Sequence, residues 1–142
     1  MARVQLSLPD QVDFTTTLTL SIADMNYGNH LSNDRVLTLA HEARIRLLEH
    51  HGWSEFDIAG VSIIMTDAAL VYKSEGFRGD VIQVQVSVAD IGNSGFDLYY
   101  RMVNQTTGKD LAHVKTGILC FDYEHRKVRR VPPEFKELFQ KG

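Results

Sequence analysis

Through residues 14–22, Leu18, Leu20 and Ile22 alternate with threonine and serine. That period of two predicts a half-buried strand, and threonine favours it. The polar, glycine-bearing stretch 24–30 then predicts a loop. Ser32, Asn33 and Asp34 offer N-caps and negative charge for a helix start. Val36, Leu37, Ala40, Ala43, Leu47 and Leu48 follow, mostly at spacings of three and four. Arg35, His41, Arg46 and Glu49 point outward in this pattern, and small Ala40 and Ala43 admit close approach to a sheet. Gly52 ends the helix, with His50 and His51 in its last turn; no third ligand lies near that pair in sequence. Four more strands are predicted: an apolar run at 61–72, clean alternation at 81–88 and 96–102, and a final run at 111–121. Turns rich in Gly, Asn and Asp fall at 74–80, 90–95 and 104–110. After Pro132 and Pro133, residues 134–140 predict a short closing helix.

Strands joined in sequence by short turns predict an antiparallel meander. One long helix can be buried only if such a sheet curves around it. The expected class is therefore α+β: a curved antiparallel sheet of about five strands wrapped around one long helix, in one domain over residues 1–142. An open sheet leaves an edge that must be covered or paired. A second copy of the chain does this, so a symmetric dimer or a dimer of dimers is expected.

Composition narrows the partners. The 44% hydrophobic and 23% charged residues suit a folded globular chain. With a net charge of −3 and one small basic cluster, Arg126, Lys127, Arg129 and Arg130, no nucleic-acid surface is indicated. Cys120 is the only cysteine, which excludes an intrachain disulfide, and its apolar neighbours suggest a packed thiol. No signal peptide and no apolar run long enough to span a membrane is visible, so a cytoplasmic protein with no membrane partner is expected. Gly-rich phosphate loops, zinc spacings and the Gly-x-Ser-x-Gly elbow are all missing, which disfavours nucleotide, metal and serine-hydrolase chemistry.

The loop and helix together carry a resemblance. Asp24-Met25-Asn26-Tyr27-Gly28-Asn29-His30-Leu31-Ser32-Asn33, then His41-Glu42-Ala43-Arg44, is similar to the Asp-x-Asp-x-x-Gly-His-Val-Asn-Asn and Glu-x-Ala-Arg stretches of hotdog-fold thioesterases related to 4-hydroxybenzoyl-CoA thioesterase. Residues 72–80, Tyr72-Lys73-Ser74-Glu75-Gly76-Phe77-Arg78-Gly79-Asp80, look like the join between strands that often ends Phe-Gly-Asp in that family. The resemblance implies a hotdog fold, hydrolysis of a small-molecule acyl-CoA thioester, and no cofactor beyond the coenzyme A of the substrate. It departs at two places. The family's second aspartate, often the general base or nucleophile, is Asn26 here, and an amide takes no proton at neutral pH. The glycine is displaced: Gly28 precedes Asn29 and His30 where Gly-His is common.

Several residues are candidates for the chemistry. A helix N-terminus supplies N–H donors for a developing oxyanion, so the amides of residues 30–33 are expected to polarise the thioester carbonyl. Asn26 either orients a water or the thioester, or satisfies local backbone groups. His30 is a general base or a pin for the helix entrance. Asp24 is a base, an orienter of His30, or a turn residue. Asp67, inside an apolar run, needs a partner or a cavity; the resemblance places it near the site of a second subunit, and the alternative is an exposed sheet face. Tyr27, Gly28, Asn29, Leu31 and Tyr72 are expected to line the substrate, and Lys73, Arg78 and the 126–130 cluster to meet coenzyme A phosphates. Two rivals remain: a non-catalytic acyl-thioester binder, favoured by Asn26, and a hydratase, disfavoured because His41 and Glu42 diverge on a helix.

Overall fold

The alternating residues divide between a core and a wet face as the pattern requires. In the computed structural model, which describes residues 2–140, β1 (Phe14–Thr19) pairs with β3 (Val81–Ala89), β3 with β4 (Gly95–Asn104), and β4 with β5 (Lys109–Asp122), all antiparallel. Ile82, Val84 and Val86 of β3 and Leu98, Tyr100 and Met102 of β4 face inward and are fully buried. Against them lies α1 (Arg35–His50), through Val36, Leu39, Ala40, Ala43, Leu47 and Leu48. Ala40 and Ala43 are completely enclosed, as close helix–sheet approach demands.

Three expectations change. The first strand stops at Thr19, and Ile22 is exposed. Leu20 still pairs, donating to the Asp80 carbonyl at 2.9 Å and accepting from Gly79 N–H at 2.8 Å. Ser21 and Asp24 then close a capping box around a one-turn 3-10 helix, Ile22–Asp24, which turns Ile22 away from the sheet.

The meander survives only for β3, β4 and β5. The strand order is β1-β3-β4-β5-β2, because α1 crosses the sheet and carries β2 (Ser62–Tyr72) to the far edge, beside β5. The third change is a sixth strand, β6 (Lys127–Val128), paired with the end of β5. From Met65 to Ala68, β2 is exposed, with a register shift between Met65 and Asp67. The apolar run there is an open edge, not a buried strand.

The predicted closing helix is α2 (Pro133–Phe139), with proline in its first turn where the missing N–H does no harm. Phe135 stacks on Phe96 at 4.3 Å and packs on Phe139 and Trp53. The histidine pair joins this aromatic group, His50 against Phe14 and His51 against Trp53 and Phe139. Burial, then the neighbouring His50, lowers the His51 pKa. No group of three or more His, Cys, Asp or Glu placed for a metal occurs among the described residues. Cys120 is buried, and burial pushes its thiol up to about 11, as a packed thiol should be.

Since Phe135 is fully buried at the centre of this cluster, Phe135→Ala is expected to cost about 3–5 kcal/mol. Urea unfolding checks this; a change under about 1 kcal/mol would show that α2 is peripheral to the fold.

Candidate active site

The loop between β1 and α1 closes at its neck. Met25 and Leu31 form an isolated antiparallel bridge, Asn26 N–H donates to the His30 carbonyl at 2.9 Å, and Ser32 N–H to the Asp24 carbonyl at 2.9 Å. Within the neck, Asn26 Oδ1 accepts the Gly28 N–H at 2.8 Å, an Asx turn. Asn29 sits at φ +64°, the left-handed region that asparagine tolerates best after glycine. Asn29 thus stands where the motif carries glycine, in a backbone conformation that glycine also adopts readily. Gly28 answers a different need. A Cβ there would stand 3.2 Å from Asn26 Oδ1 and 3.3 Å from His30 Nε2, so glycine lets the amide and the imidazole approach from either side.

His30 Nδ1 lies 3.3 Å from the Leu31 carbonyl. With Nδ1–H donating there, Nε2 keeps its lone pair. The loop is also tied to the join between β2 and β3. Leu31 N–H donates to the Gly76 carbonyl at 2.7 Å, and Gly76 is packed so tightly that a Cβ would come within 2.8 Å of Leu20 Cδ1. Lys73 and Ser74 N–H both reach the Leu111 carbonyl, and the Ser74 hydroxyl donates to the Asp110 carbonyl at 2.7 Å. Tyr72 hydroxyl donates to the Asn33 carbonyl at 3.1 Å. Further along the join, Asp80 accepts from Phe77 N–H and from the Asn104 amide.

These ties enclose a cleft of about 320 Å³ lined by His30, Leu31, Asn33, Tyr72, Lys73 and Glu75, with Val36, Ser74, Gly76 and Leu111 completing it. Four expected residues therefore meet: His30, Leu31, Tyr72 and Lys73. Glu75 brings a carboxylate that the sequence did not single out. Of the helix-start amides, Leu31 and Ser32 N–H are spent on Gly76 and Asp24. The N–H groups of His30 and Asn33 have no acceptor among the described residues, whereas the Asp34 carboxylate accepts from the Ser32 hydroxyl and from its own N–H. The donor left beside the cleft is thus the Asn33 N–H, next to the positive end of α1.

The other candidates stand elsewhere. Asp24 is buried with both oxygens engaged: Oδ2 accepts from Ser21 N–H and hydroxyl, and Oδ1 from Arg35 at 3.1 and 3.2 Å. It fixes the loop to the helix and makes no bond to His30. Its partner Ser21 was readable from the Ser-x-x-Asp spacing; Arg35 was not. Asp67 lies on exposed β2, held by Lys115 at 2.9 and 3.1 Å, outside the cleft. Tyr27 is fully exposed at the loop tip, and Arg78 is exposed on the β2–β3 join. The 126–130 cluster is exposed about β6, with Arg126 over the Phe121 ring and Arg129 beside Asp122.

A second polar constellation was missed. Arg44 on α1 is only 6% exposed. Its Nε donates to Glu55 at 2.9 Å and its Nη1 to Tyr100 hydroxyl at 3.3 Å, while Tyr100 meets Thr116 at 2.9 Å. The other Glu55 oxygen takes His41 Nε2 at 2.8 Å. Glu42, adjacent in sequence, pairs instead with Arg46. Burial opposes the charge on Glu55, but hydrogen bonds from His41 and Arg44 outweigh it and hold the carboxyl below its ordinary value.

Residues 20–139 match the family described as the thioesterase-like superfamily. This chain belongs to that superfamily. The match takes in the loop, the cleft and every strand after β1. Among solved structures, this thioesterase-like chain is similar to a 1,4-dihydroxy-2-naphthoyl-CoA thioesterase from Synechocystis, with 19% identity, a TM-score of 0.80, and 88% of this chain and 93% of that one covered. It is similar to a gentisyl-coenzyme A thioesterase at 13% identity and TM-score 0.76, over 88% and 98% of the two chains. A hypothetical protein from Thermus thermophilus, 19% identical, matches with TM-score 0.79 over 89% and 97%. These likenesses carry the hotdog fold. No functionally curated protein matches at the sequence level.

Two predictions follow from these contacts. Gly76→Ala pushes on buried Leu20 and strains the Leu31 tie; it is expected to destabilise the superfamily fold by about 1–3 kcal/mol in urea unfolding. Glu55, with a depressed folded value, contributes stability that is complete above its ordinary 4.5 and is lost as pH falls through the lower folded value. Stability measured between about pH 5 and pH 3 should therefore fall, and Glu55→Gln should flatten part of that slope.

Proposed function

We propose that the cleft hydrolyses a small-molecule acyl-CoA thioester, giving a carboxylic acid and free coenzyme A. The observation that carries this is the placement of His30, with Nε2 left as a base, in one cleft with the free Asn33 amide that precedes α1. Water loses a proton to Nε2 and attacks the thioester carbon. The carbonyl oxygen takes the electron pair and is met by the Asn33 N–H group. The C–S bond then breaks, and the departing sulfur takes the proton from the imidazolium. Because Asn26 Oδ1 is held by Gly28, its Nδ2 is the end free to donate to water or ester. Gly28 and Asn29 shape the loop, Leu31 and Tyr72 line the acyl side, and Tyr27 at the exposed loop tip is a candidate contact for the substrate outside the cleft. Lys73 at the cleft mouth and Arg78 offer cations to the phosphates of coenzyme A. Superfamily membership and the two named CoA thioesterases of the same fold support the choice of ester.

The exposed β2 edge supports self-association as a dimer or a dimer of dimers. In such an assembly Asp67 and its neighbours belong to a shared face, and Asp67 is a candidate contributor to a second copy's cleft. Asp24 enters as a positioning residue through Arg35. No helix among the described residues is long and apolar enough to cross a membrane, and a cytoplasmic setting is proposed with a small-molecule partner and no nucleic acid.

A non-catalytic acyl-thioester binder is the second reading, favoured by an amide where the motif carries a carboxylate. Free-thiol release from short, long and aromatic acyl-CoAs separates the two. The expected result is turnover, reduced about 100-fold or more in His30→Ala and less in Asn26→Ala. Tight binding without turnover by any substrate would establish the binder instead. Sedimentation analysis should show a dimer or larger; a monomer throughout would remove Asp67 from the mechanism.

A further inference from the structure

Two successive residues of β5, Leu111 and Ala112, are both fully buried. A regular strand turns successive side chains to opposite faces. Here β5 carries one extra residue. Ala112 stands opposite Met102 of β4 and Asp110 opposite Val103, so Leu111 has no register partner on β4. This is a β-bulge, and a bulge re-aims the side chains around it. Leu111 turns inward and lines the cleft. Asp110 and His113, three apart, would face opposite sides of a regular strand; the extra residue brings them together on the outer face of the sheet.

We propose that Arg101, Asp110 and His113 form a clamp that holds this bulge, and that through it they position the Lys73–Gly76 wall of the cleft for the substrate from the opposite face of the sheet. The proposal rests on the thioester reading and adds positioning residues to it; none of the three borders the cleft. Two observations carry it. First, the clamp spans the irregularity. Arg101 Nε and Nη2 donate to the two Asp110 oxygens at 3.0 and 2.9 Å, the strong two-pronged geometry of an arginine on a carboxylate. His113 Nε2 donates to Oδ2 at 2.6 Å. Arg101 and His113 are cross-strand partners on the regular side of the bulge. One carboxylate is thus tied both to β4 and to β5 beyond the extra residue. The Arg101 hydrogen bonds, opposed by burial and helped by His113, hold the Asp110 carboxyl below its ordinary value, so the clamp is charged at neutral pH.

Second, the cleft wall hangs from the bulge. The Leu111 carbonyl accepts the Lys73 N–H at 2.9 Å and the Ser74 N–H at 3.2 Å, and the Asp110 carbonyl accepts the Ser74 hydroxyl at 2.7 Å. All three bonds end on the clamped residue and its neighbour. The Leu111 side chain adds a packing support, since a Cβ on Gly76 would stand 3.2 Å from its Cδ1. Lys73, Ser74, Glu75 and Gly76 all line the cleft, yet they lie between β2, which ends at Tyr72, and β3, which begins at Val81. No strand ladder of their own holds them.

The route sets the effect. Lys73 and Ser74 are bonded directly to the bulge, whereas the loop that carries His30 is reached only afterwards, through the bond from Leu31 N–H to the Gly76 carbonyl. Loosening the clamp therefore acts first on the wall that offers Lys73 and Glu75 to a ligand. Weaker binding with an unaltered chemical step is its signature. A merely destabilised protein behaves differently: folded molecules are lost, so the maximal rate falls while KM stays.

Two variants of the full chain test this. Asp110→Ala removes the clamp; Arg101→Met, at an exposed side chain, removes one arm and leaves the His113 bond, and it carries the comparison alone if Asp110→Ala does not fold. KM for octanoyl-CoA and the Kd of its non-hydrolysable thioether should rise about tenfold in Asp110→Ala and by less in Arg101→Met, with kcat within about twofold of the wild type. Amide hydrogen exchange, which needs no ligand, should quicken about tenfold at Lys73 and Ser74 while the β3 amides keep their protection. Unchanged exchange at Lys73 and Ser74 in the folded variants, or a lower maximal rate at constant KM and Kd, overturns the proposal. Faster exchange and weaker thioether binding in the variants of a protein that cleaves no ester overturns the hydrolase reading and leaves the clamp's positioning role standing.

Discussion

The bond from Leu31 N–H to the Gly76 carbonyl joins the two pieces of chain that make the cleft. One is the loop that leads into α1; the other is the join that carries the chain from β2 back to β3. Neither has regular structure of its own to hold it. Gly76 can serve because nothing beyond its Cα fits between Leu20, Leu111 and Leu31. The polar site is thus seated directly on the hydrophobic core, and its geometry inherits the rigidity of close packing. The same contact consumes the Leu31 amide, the Asp24 carbonyl takes that of Ser32, and the Asn33 amide is left for a ligand.

A second constraint acts further along α1, at Arg44. Arg44 breaks the apolar stripe of α1, yet among the described residues no buried side-chain nitrogen or oxygen lacks a partner. A network that is fully satisfied specifies one arrangement, whereas a partly satisfied one would be worse than hydrocarbon. The core therefore accepts a charge, and the result is a Glu55 carboxylate fixed between Arg44 and His41.

Much of the architecture was legible because burial on one face writes itself as alternation. β3 and β4 follow their predicted spans closely, and α1 shows the three-and-four spacing of Val36, Ala40, Ala43 and Leu47. The place of β2 was not legible. An apolar run says that side chains avoid water, but not whether a sheet neighbour or a second molecule covers them, and Met65 to Ala68 are left open. Strand order was equally hidden, since period-two patterning says nothing of which strand a helix crossover reaches. At the site, the loop motif pointed to His30 and Asn26, whose convergence depends on Gly28. The roles of Asp24 and Arg44 lay beyond pattern reading. Asp24 gives its charge to an arginine on the following helix, and Arg44 looks like one more exposed cation until Glu55 and Tyr100 are brought to it from distant parts of the chain.

Cys120 acquires a meaning from the proposed product. Free coenzyme A is itself a nucleophilic sulfhydryl, and an accessible cysteine near its source would invite mixed-disulfide capture. The only sulfhydryl of this protein is enclosed on β5, with its ionisation pushed up to about 11, so it stays in the unreactive form. The folded molecule is consequently silent toward thiol-specific dyes. Colour developing during a reaction belongs to released product alone, and colour from protein without substrate reports unfolding.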